Sequence, residues 1–163
     1  MIDTLFNHSK DKDIAVFAKL YDKDVPIEIK NGNFPEDVAT SYNILYDNTE
    51  QIIKVIEFPF SESGDWFISL THYFDKDGKT FAFERKCNFF NAEGIAYETQ
   101  TEFFNGDFKP ISTDYKLIDE NGNTLQKDDC DFPYSDINVN KKSANIDMCL
   151  KANTITNAQR NKK

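Results

Sequence analysis

Short turn signals recur at nearly equal intervals through the middle of the chain, and they constrain its fold more than any other feature. Each contains Asp or Asn together with Gly, and they begin at positions 75, 91, 105 and 119. These residue types tolerate the backbone conformations that tight turns need. The segments between them are rich in aromatic and β-branched residues, which favour strands. The rhythm therefore predicts a meander of antiparallel strands, each roughly 8–11 residues long.

The segments before this region extend the pattern. Polar and apolar residues alternate over 25–30, as expected for a half-buried strand, and 41–46 and 51–60 are interpreted as two strands around the turn residues 47–50. Residues 13–21 fit both a helical stripe and an alternating strand, and we favour the strand because helix signals are rare elsewhere. A short helix near the N-terminus or around Pro35 would cover one end of the sheet.

These patterns together predict the fold class and the domain organisation. We expect a mainly β protein with little helix, an antiparallel meander of about eight strands that forms a curved open sheet or a partly closed barrel. The length of 163 residues fits a single domain. We assign residues 1–151 to it, with last short strands at 130–134 and within 141–151, and residues 152–163 to a polar, frayed tail.

Alternation also assigns the meander side chains to two faces. The predicted buried face takes the even-numbered residues from Trp66 to Phe74 and the odd-numbered residues of the next three strands. The register after Phe74 depends on the loop. An even-length loop joins the two apolar rows and is preferred, whereas a three-residue loop with a left-handed Gly78 would turn Trp66 outward. The polar face of the second and third strands would carry Glu84, Lys86, Asn88, Glu98, Gln100 and Glu102.

The net charge of −9 narrows the classes of partner. An acidic surface repels phosphate backbones, so nucleic-acid binding is disfavoured and a basic protein partner is favoured. The hydrophobic share is only 39%, but 15 Phe and 7 Tyr supply enough large rings for a core. No apolar run is long enough to be a membrane-spanning segment.

The N-terminus and the cysteines leave the compartment open. The first eight residues lack the basic start and the apolar stretch of a signal peptide. The protein is therefore cytoplasmic if the chain is complete and exported if a signal peptide was removed. We expect Cys87 to be a buried thiol, and Cys130 and Cys149 would be able to pair in an exported chain.

Motifs for catalysis and cofactor binding are missing from the sequence. It contains no glycine-rich phosphate loop, no nucleophile elbow and no metal-spaced set of Cys and His. We therefore assign no catalytic residue, metal or cofactor, and favour a non-enzymatic function. The Asp-x-Asp-Gly segment at 75–78 is interpreted as a hairpin turn rather than a calcium loop, because strands flank it. A His72–Cys87 dyad is disfavoured because our register places Trp66 opposite Cys87.

Seven polar or aromatic side chains near mid-strand form the candidate ligand site. In a curved sheet they would line the floor of a pocket for a small molecule. Alternatively, each polar group finds its hydrogen-bond partners at the sheet margin or is exposed on an uncovered face. The seven residues are His72, Arg85, Tyr97, Thr99, Thr101, Thr113 and Tyr115.

A dense acidic cluster follows the meander and is the candidate partner-binding site. Asp128, Asp129 and Asp131 would meet a basic partner or hold a divalent cation, or simply form a solvated loop. The favoured function is a non-catalytic interaction protein that presents an acidic surface or sheet face to a basic protein partner, as an inhibitor, immunity or accessory factor does. The alternative is a small-ligand-binding β-sheet or barrel protein that uses the seven residues above.

Overall fold

One antiparallel sheet of eight strands makes up the fold. The structure is a computed structural model that describes residues 14–92, 94–136 and 149. The strands run in the order β2-β1-β3-β4-β5-β6-β7-β8, and the edges β2 and β8 do not pair, so the sheet is open. Their bounds are β1 (Ile14–Leu20), β2 (Ile27–Glu28), β3 (Val38–Tyr46), β4 (Ile52–Pro59), β5 (Trp66–Phe74), β6 (Thr80–Asn91), β7 (Gly94–Phe104) and β8 (Pro110–Asp119).

The predicted antiparallel meander is confirmed, and the ambiguous first segment is the strand β1. β2 is shorter than predicted and lies at the edge of the sheet. This position suits the preceding Pro26, which has no N–H to donate to a ladder. The structure does not contain the helix expected around Pro35, where a loop leads through a turn at Glu36 and Asp37 into β3.

Four turns share one hydrogen-bonding pattern. A side-chain oxygen of Asp or Asn accepts the backbone N–H groups two and four residues later, at 2.8–3.0 Å. The third residue after the Asp or Asn has a positive φ in each turn. The accepting residues are Asp47, Asp75, Asn105 and Asp119, and the positive-φ residues are Glu50, Gly78, Phe108 and Gly122. These Asx turns explain why Asp and Asn recur at this spacing.

The register between β5 and β6 joins the two apolar rows, as preferred. Leu70 pairs with Arg85, so even positions of β5 face odd positions of β6. A bulge between Tyr73 and Phe74 shifts the pairing by one residue at the turn end of the ladder. The even-to-odd pairing therefore holds across the middle of both strands.

The register between β6 and β7 reverses our face assignment for β7. Asn91 pairs with Gly94, so two residues connect the strands, and a hairpin of this length pairs odd positions with even ones. Cys87 therefore opposes Glu98 rather than a residue of the predicted buried row. The prediction for this strand is wrong: Glu98, Gln100 and Glu102 share the face of Arg85, and Tyr97, Thr99 and Thr101 lie on the opposite face.

Both hydrophobic clusters lie on one side of the sheet, which we call the core face; the opposite side is the outer face. Paired residues of an antiparallel sheet share a face, so the ladder places both clusters together. On the outer face, Thr71, Tyr73 and Ala82 of the central strands are also buried, whereas Phe67 and Phe90 near one end of the sheet are exposed. One cluster contains Phe17, Tyr42, Ile44, Tyr46, Ile52, Val55, Phe74 and Cys149. The other contains Ile68, Leu70, Phe83, Cys87, Phe89, Ala96, Phe104 and Leu117.

Residues 125–134, which we call the strap, cover part of the core face. Phe132 packs on Phe89 with ring centroids 5.2 Å apart, and Cys130 and Tyr134 pack against the same cluster. The predicted strand at 130–134 is wrong, because the chain forms short 3₁₀ helices over Lys127–Asp129 and Pro133–Asp136. Alternate side chains of the strap do point to the core. However, Pro133 has no N–H, and the segment crosses a face instead of pairing along an edge.

Several predicted elements lie outside the described residues. These are the strand within 141–151, apart from Cys149, the tail over 152–163 and any helix at the N-terminus. Among the described residues, no helix combines the length and hydropathy needed to cross a bilayer.

Candidate functional site

Arg85 and Glu98 form a buried ion pair on the core face. Arg85 Nε donates to Glu98 Oε2 and Arg85 Nη2 donates to Oε1, both at 3.0 Å. The residues are 7% and 1% exposed. Burial lowers the pKa of Arg85, but the hydrogen bond and charge of Glu98 outweigh it and raise that pKa overall. Two parallel hydrogen bonds of this kind offset part of the cost of burying both charges.

Tyr134 and Gln100 complete this polar network. Tyr134 OH donates to Glu98 Oε1 at 3.0 Å and accepts from Arg85 Nη2 at 3.1 Å, while the guanidinium carbon lies 3.9 Å from the tyrosine ring centroid. Gln100 Oε1 accepts from Arg85 Nη2 at 2.8 Å. Burial and the charge of Glu98 raise the pKa of Tyr134, so its phenol stays neutral. The network thus fastens the strap to the sheet.

His72 lies on the same face but outside this network. It pairs with Phe83, is 5% exposed, and stacks between rings of the core, 4.9 Å from Phe83 and 6.3 Å from Phe74. Its Nδ1 has no hydrogen-bond partner. Burial lowers the pKa of His72 to about 4, so the ring is neutral at pH 7 and fills the core as an aromatic group.

A His72–Cys87 dyad is incompatible with the ladder. Cys87 opposes Ile68, while Trp66 opposes Phe89, two residues away from the partner that we predicted. The positions opposite His72 and at Cys87 are four residues apart, or roughly 13 Å along a strand. Burial and the charge of Glu98 raise the pKa of Cys87 to about 12, so its thiol is not a nucleophile at pH 7.

Thr113 and Tyr115 lie on the core-face side of the edge strand β8 and are exposed. Tyr115 lines a cavity of about 530 Å³ between β8 and the strap, together with Leu117 and Leu125. Lys127 Nζ lies 3.8 Å from the Tyr115 ring centroid. The cavity volume falls within the usual range for small-molecule sites, roughly 300–1,000 Å³.

The seven predicted ligand residues do not form one pocket. The core face carries His72, Arg85, Thr113 and Tyr115, and the outer face carries Tyr97, Thr99 and Thr101. Arg85 is enclosed by its own partners, and only Tyr115 lines the 530 Å³ cavity. Their ligand-binding role stays a prediction.

A group of aromatic side chains on the outer face was not anticipated. This aromatic patch consists of Phe58, Phe67, Phe90 and Tyr97. Phe67 and Phe90 are 51% and 64% exposed. Phe58 and Phe67 have ring centroids 5.8 Å apart. Pairing through Asn88 places Phe67 and Tyr97 in one row across three strands. The available signal was the presence of large rings at positions 67 and 90, where alternation calls for polar residues.

Asp128, Asp129 and Asp131 are exposed on the strap. The strap is hydrogen-bonded to β8, because Leu125 N–H donates to Leu117 O at 3.1 Å. Within the ranges that the structure describes, no three acidic, His or Cys side chains are grouped to hold a metal ion. No disulfide joins Cys87, Cys130 and Cys149 in the part of the chain that the structure describes, and the last two belong to different clusters.

Two smaller cavities lie at the end of the sheet where the β4–β5 and β6–β7 connections meet. One, which we call the aromatic cavity, has a volume of about 170 Å³, and half of its lining residues are aromatic, including Trp66, Phe67 and Phe90. The other, which we call the acidic cavity, has a volume of about 210 Å³ and includes Asp119 and Glu120. Comparison of the chain with protein-family models, curated proteins and solved structures yields no match. Any functional assignment therefore depends on this geometry.

Proposed function

We propose that this chain is a non-catalytic interaction protein whose acidic surface binds a basic protein partner. The observation that carries the proposal is the exposure of Asp128, Asp129 and Asp131 on a strap whose neighbouring side chains are packed onto the sheet. Carboxylates held in place by a packed segment lose little conformational entropy on binding. The acidic surface is thus ready to engage a positive partner.

The charge distribution supports the same partner class. Residues 14–136 contain 11 Lys and Arg against 24 Asp and Glu, whereas residues 137–163 contain six Lys and Arg against one Asp. The sheet and its loops therefore carry the excess negative charge of the chain. A surface of one sign speeds the approach of an oppositely charged protein and disfavours acidic ones.

Affinity purification with a charge variant tests this proposal. We expect the wild-type chain to retain basic proteins that elute as salt rises, because screening weakens attraction between exposed charges. The triple variant Asp128→Asn/Asp129→Asn/Asp131→Asn should lose them. The control Asp22→Asn/Asp24→Asn/Asp37→Asn removes the same charge from exposed loops at the other side of the sheet and should keep them. Retention of only acidic or uncharged proteins would contradict the proposal.

The 530 Å³ cavity favours a second candidate function, the binding of a small ligand. Its lining combines the Tyr115 ring and apolar Leu125 with the ammonium groups of Lys116 and Lys127, which suits an aromatic anion. Anilinonaphthalene sulfonate is a suitable fluorescent probe. We expect Tyr115→Ala to reduce its binding, whereas Ile111→Ser, on the same strand but outside the cavity, should not. Equal binding by both variants would remove this candidate.

A further inference from the structure

We propose that the basic partner binds as an extended segment with an apolar anchor side chain, which lies along one end of the sheet from the aromatic patch to Asp128. This inference rests on the proposed function and names the chemistry of the partner. It follows from the arrangement of three adjoining cavities and from the charges around them.

The aromatic cavity is suited to the anchor. Phe67 and Phe90 form part of its wall and are more than half exposed, although large aromatic rings are usually buried. Its volume of about 170 Å³ is below the usual range for small-molecule sites, so it fits a single side chain rather than a ligand. An apolar side chain placed there would cover both rings.

The second cavity is suited to a cationic side chain beside the anchor. It shares Ile95 with the aromatic cavity and includes the carboxylates of Asp119 and Glu120. Hydrogen bonds from Asn123 lower the pKa of Asp119, which keeps its carboxylate ionised. A Lys or Arg next to the apolar anchor would meet these charges.

The third cavity continues this track to the strap. The acidic cavity and the 530 Å³ cavity share Leu125, and the 530 Å³ cavity extends to Asp128, with Lys116 and Lys127 also in its lining. One extended segment crossing all three would therefore meet rings first, then two carboxylates, and finally the mixed charges of Lys116, Lys127 and Asp128. The first two surfaces match an apolar residue followed by a basic one, and the third suits a polar stretch with one basic residue at Asp128.

Charge complementarity favours a basic segment over a second copy of this chain as the occupant of the track. The sheet and loops of a second copy carry the same excess of negative charge and would be repelled from the carboxylates of the track. A basic segment gains attraction along the track and also covers the exposed rings. The aromatic and acidic parts then act together, the first giving affinity through burial and the second selecting the sign of the partner.

The single tryptophan, Trp66, lines the aromatic cavity and reports on its occupancy by fluorescence. The probe is a 12-residue peptide of Lys and Gly with one central Phe. We expect saturable change in Trp66 emission, at least about tenfold weaker affinity when Gly replaces the Phe, and no binding when Glu replaces Lys. One well-buried anchor is worth about this factor.

Variants of the full chain locate the binding. Phe67→Ser and Phe90→Ser should each weaken the peptide at least about tenfold, and both residues are exposed, so the fold is retained. Phe34→Ser is the matched control: Phe34 is 51% exposed in the loop before β3, and its variant should bind within about twofold of wild type.

The outcomes separate this inference from the proposed function. Equal affinity for the peptides with and without Phe, unchanged in Phe67→Ser, would overturn the anchor and leave the acidic surface standing. Absence of binding by either cationic peptide would overturn both proposals. A Trp66 signal that changes with protein concentration alone, and that the peptide does not displace, would assign the track to a second copy and overturn the inference.

Discussion

Arg85 reaches Glu98 diagonally across the β6–β7 ladder. The residue directly opposite Arg85 is Gln100, and the residue opposite Glu98 is Cys87. The ion pair therefore joins two residue pairs that are adjacent on the core face. This geometry requires the register that the two-residue turn sets. A shift by one residue would move Glu98 to the outer face and leave the Arg85 charge buried without a carboxylate.

Removal of one partner of this pair should destabilise the protein strongly. Glu98→Ala leaves the Arg85 charge on a buried site, and we expect a loss of about 3–5 kcal/mol in the free energy of unfolding. The double variant Arg85→Met/Glu98→Leu should lose less than Glu98→Ala alone, because no charge stays buried. Urea unfolding of the wild type and the two variants measures this, and a loss in the double variant as large as in Glu98→Ala would contradict the interpretation.

Tyr134→Phe tests how the strap is held on the core face. The variant keeps the ring over Arg85 but removes the hydroxyl that bonds to Glu98 and Arg85. We expect a loss of about 1.5–3 kcal/mol, as for a hydrogen bond to a charged group. Hydrogen exchange should also become faster at Leu125, whose amide joins the strap to β8. Unchanged exchange there would show that the hydroxyl does not hold the strap.

His72 and Glu57 should give opposite pH dependences of stability. The pKa of His72 is about 4 in the folded protein and ordinarily 6.5, so its contribution is lost as pH falls from 6.5 to 4. Burial raises the pKa of Glu57 to about 7 from 4.5, against the opposing charge of Lys19, so its contribution grows as pH falls from 7 to 4.5. In the wild type, these two contributions to the pH dependence of stability largely cancel.

Single variants should show the pH dependence that each group gives to the free energy of unfolding. His72→Leu leaves only the Glu57 contribution of the two and should itself gain stability as pH falls from 7 to 4.5, whereas Glu57→Gln leaves only that of His72 and should lose stability from 6.5 to 4, each by up to about 3 kcal/mol. Urea unfolding at half-unit pH steps measures both. Parallel curves for the wild type and both variants would contradict the assignment of these two groups as titrating over this range.

Glycine substitution at the positive-φ positions of two Asx turns should change the stability of the protein in opposite directions. Glu50 is exposed with φ 64°, so Glu50→Gly relieves strain and should raise stability by about 0.5–1 kcal/mol. Phe108 has φ 58°, but its ring stacks on Phe104 at 4.4 Å, so Phe108→Gly should be destabilising despite the same relief. Thermal unfolding compares the two, and a shift of the same sign in both would contradict this account.

The sequence was sufficient for most of the strands and turns up to Asp119, because each turn carries its own chemistry. Asp75 and Asp119 supply the oxygen that caps their turns, and Gly78 and Gly122 accept the positive φ. The turn at Asp47 has the same hydrogen bonds, although Glu50 takes the positive φ there in place of glycine. Alternation also placed the even positions of β5 against the odd positions of β6.

The faces of β7 and the candidate site were not predictable from alternation alone. We assigned Tyr97 to the core and Glu98 to solvent, as hydrophobicity suggests. The buried guanidinium of Arg85 reverses this preference, because a charge on the core face needs a carboxylate there. The same reversal puts Tyr97 on the outer face in one row with Phe67, on the far side of Asn88, which is how it joins the aromatic patch.

Backbone amide mapping by NMR tests the central claim, that an open outer face with an acidic end binds a basic segment. The labelled chain is titrated with the Lys/Gly peptide containing one Phe. The account predicts saturable shifts at Phe67, Phe90 and Asp119 and through Asp128, with little change at Phe17 or Ile44 in the other half of the sheet. Shifts confined to the β1–β3 half, or no saturable shifts at low salt, would contradict it.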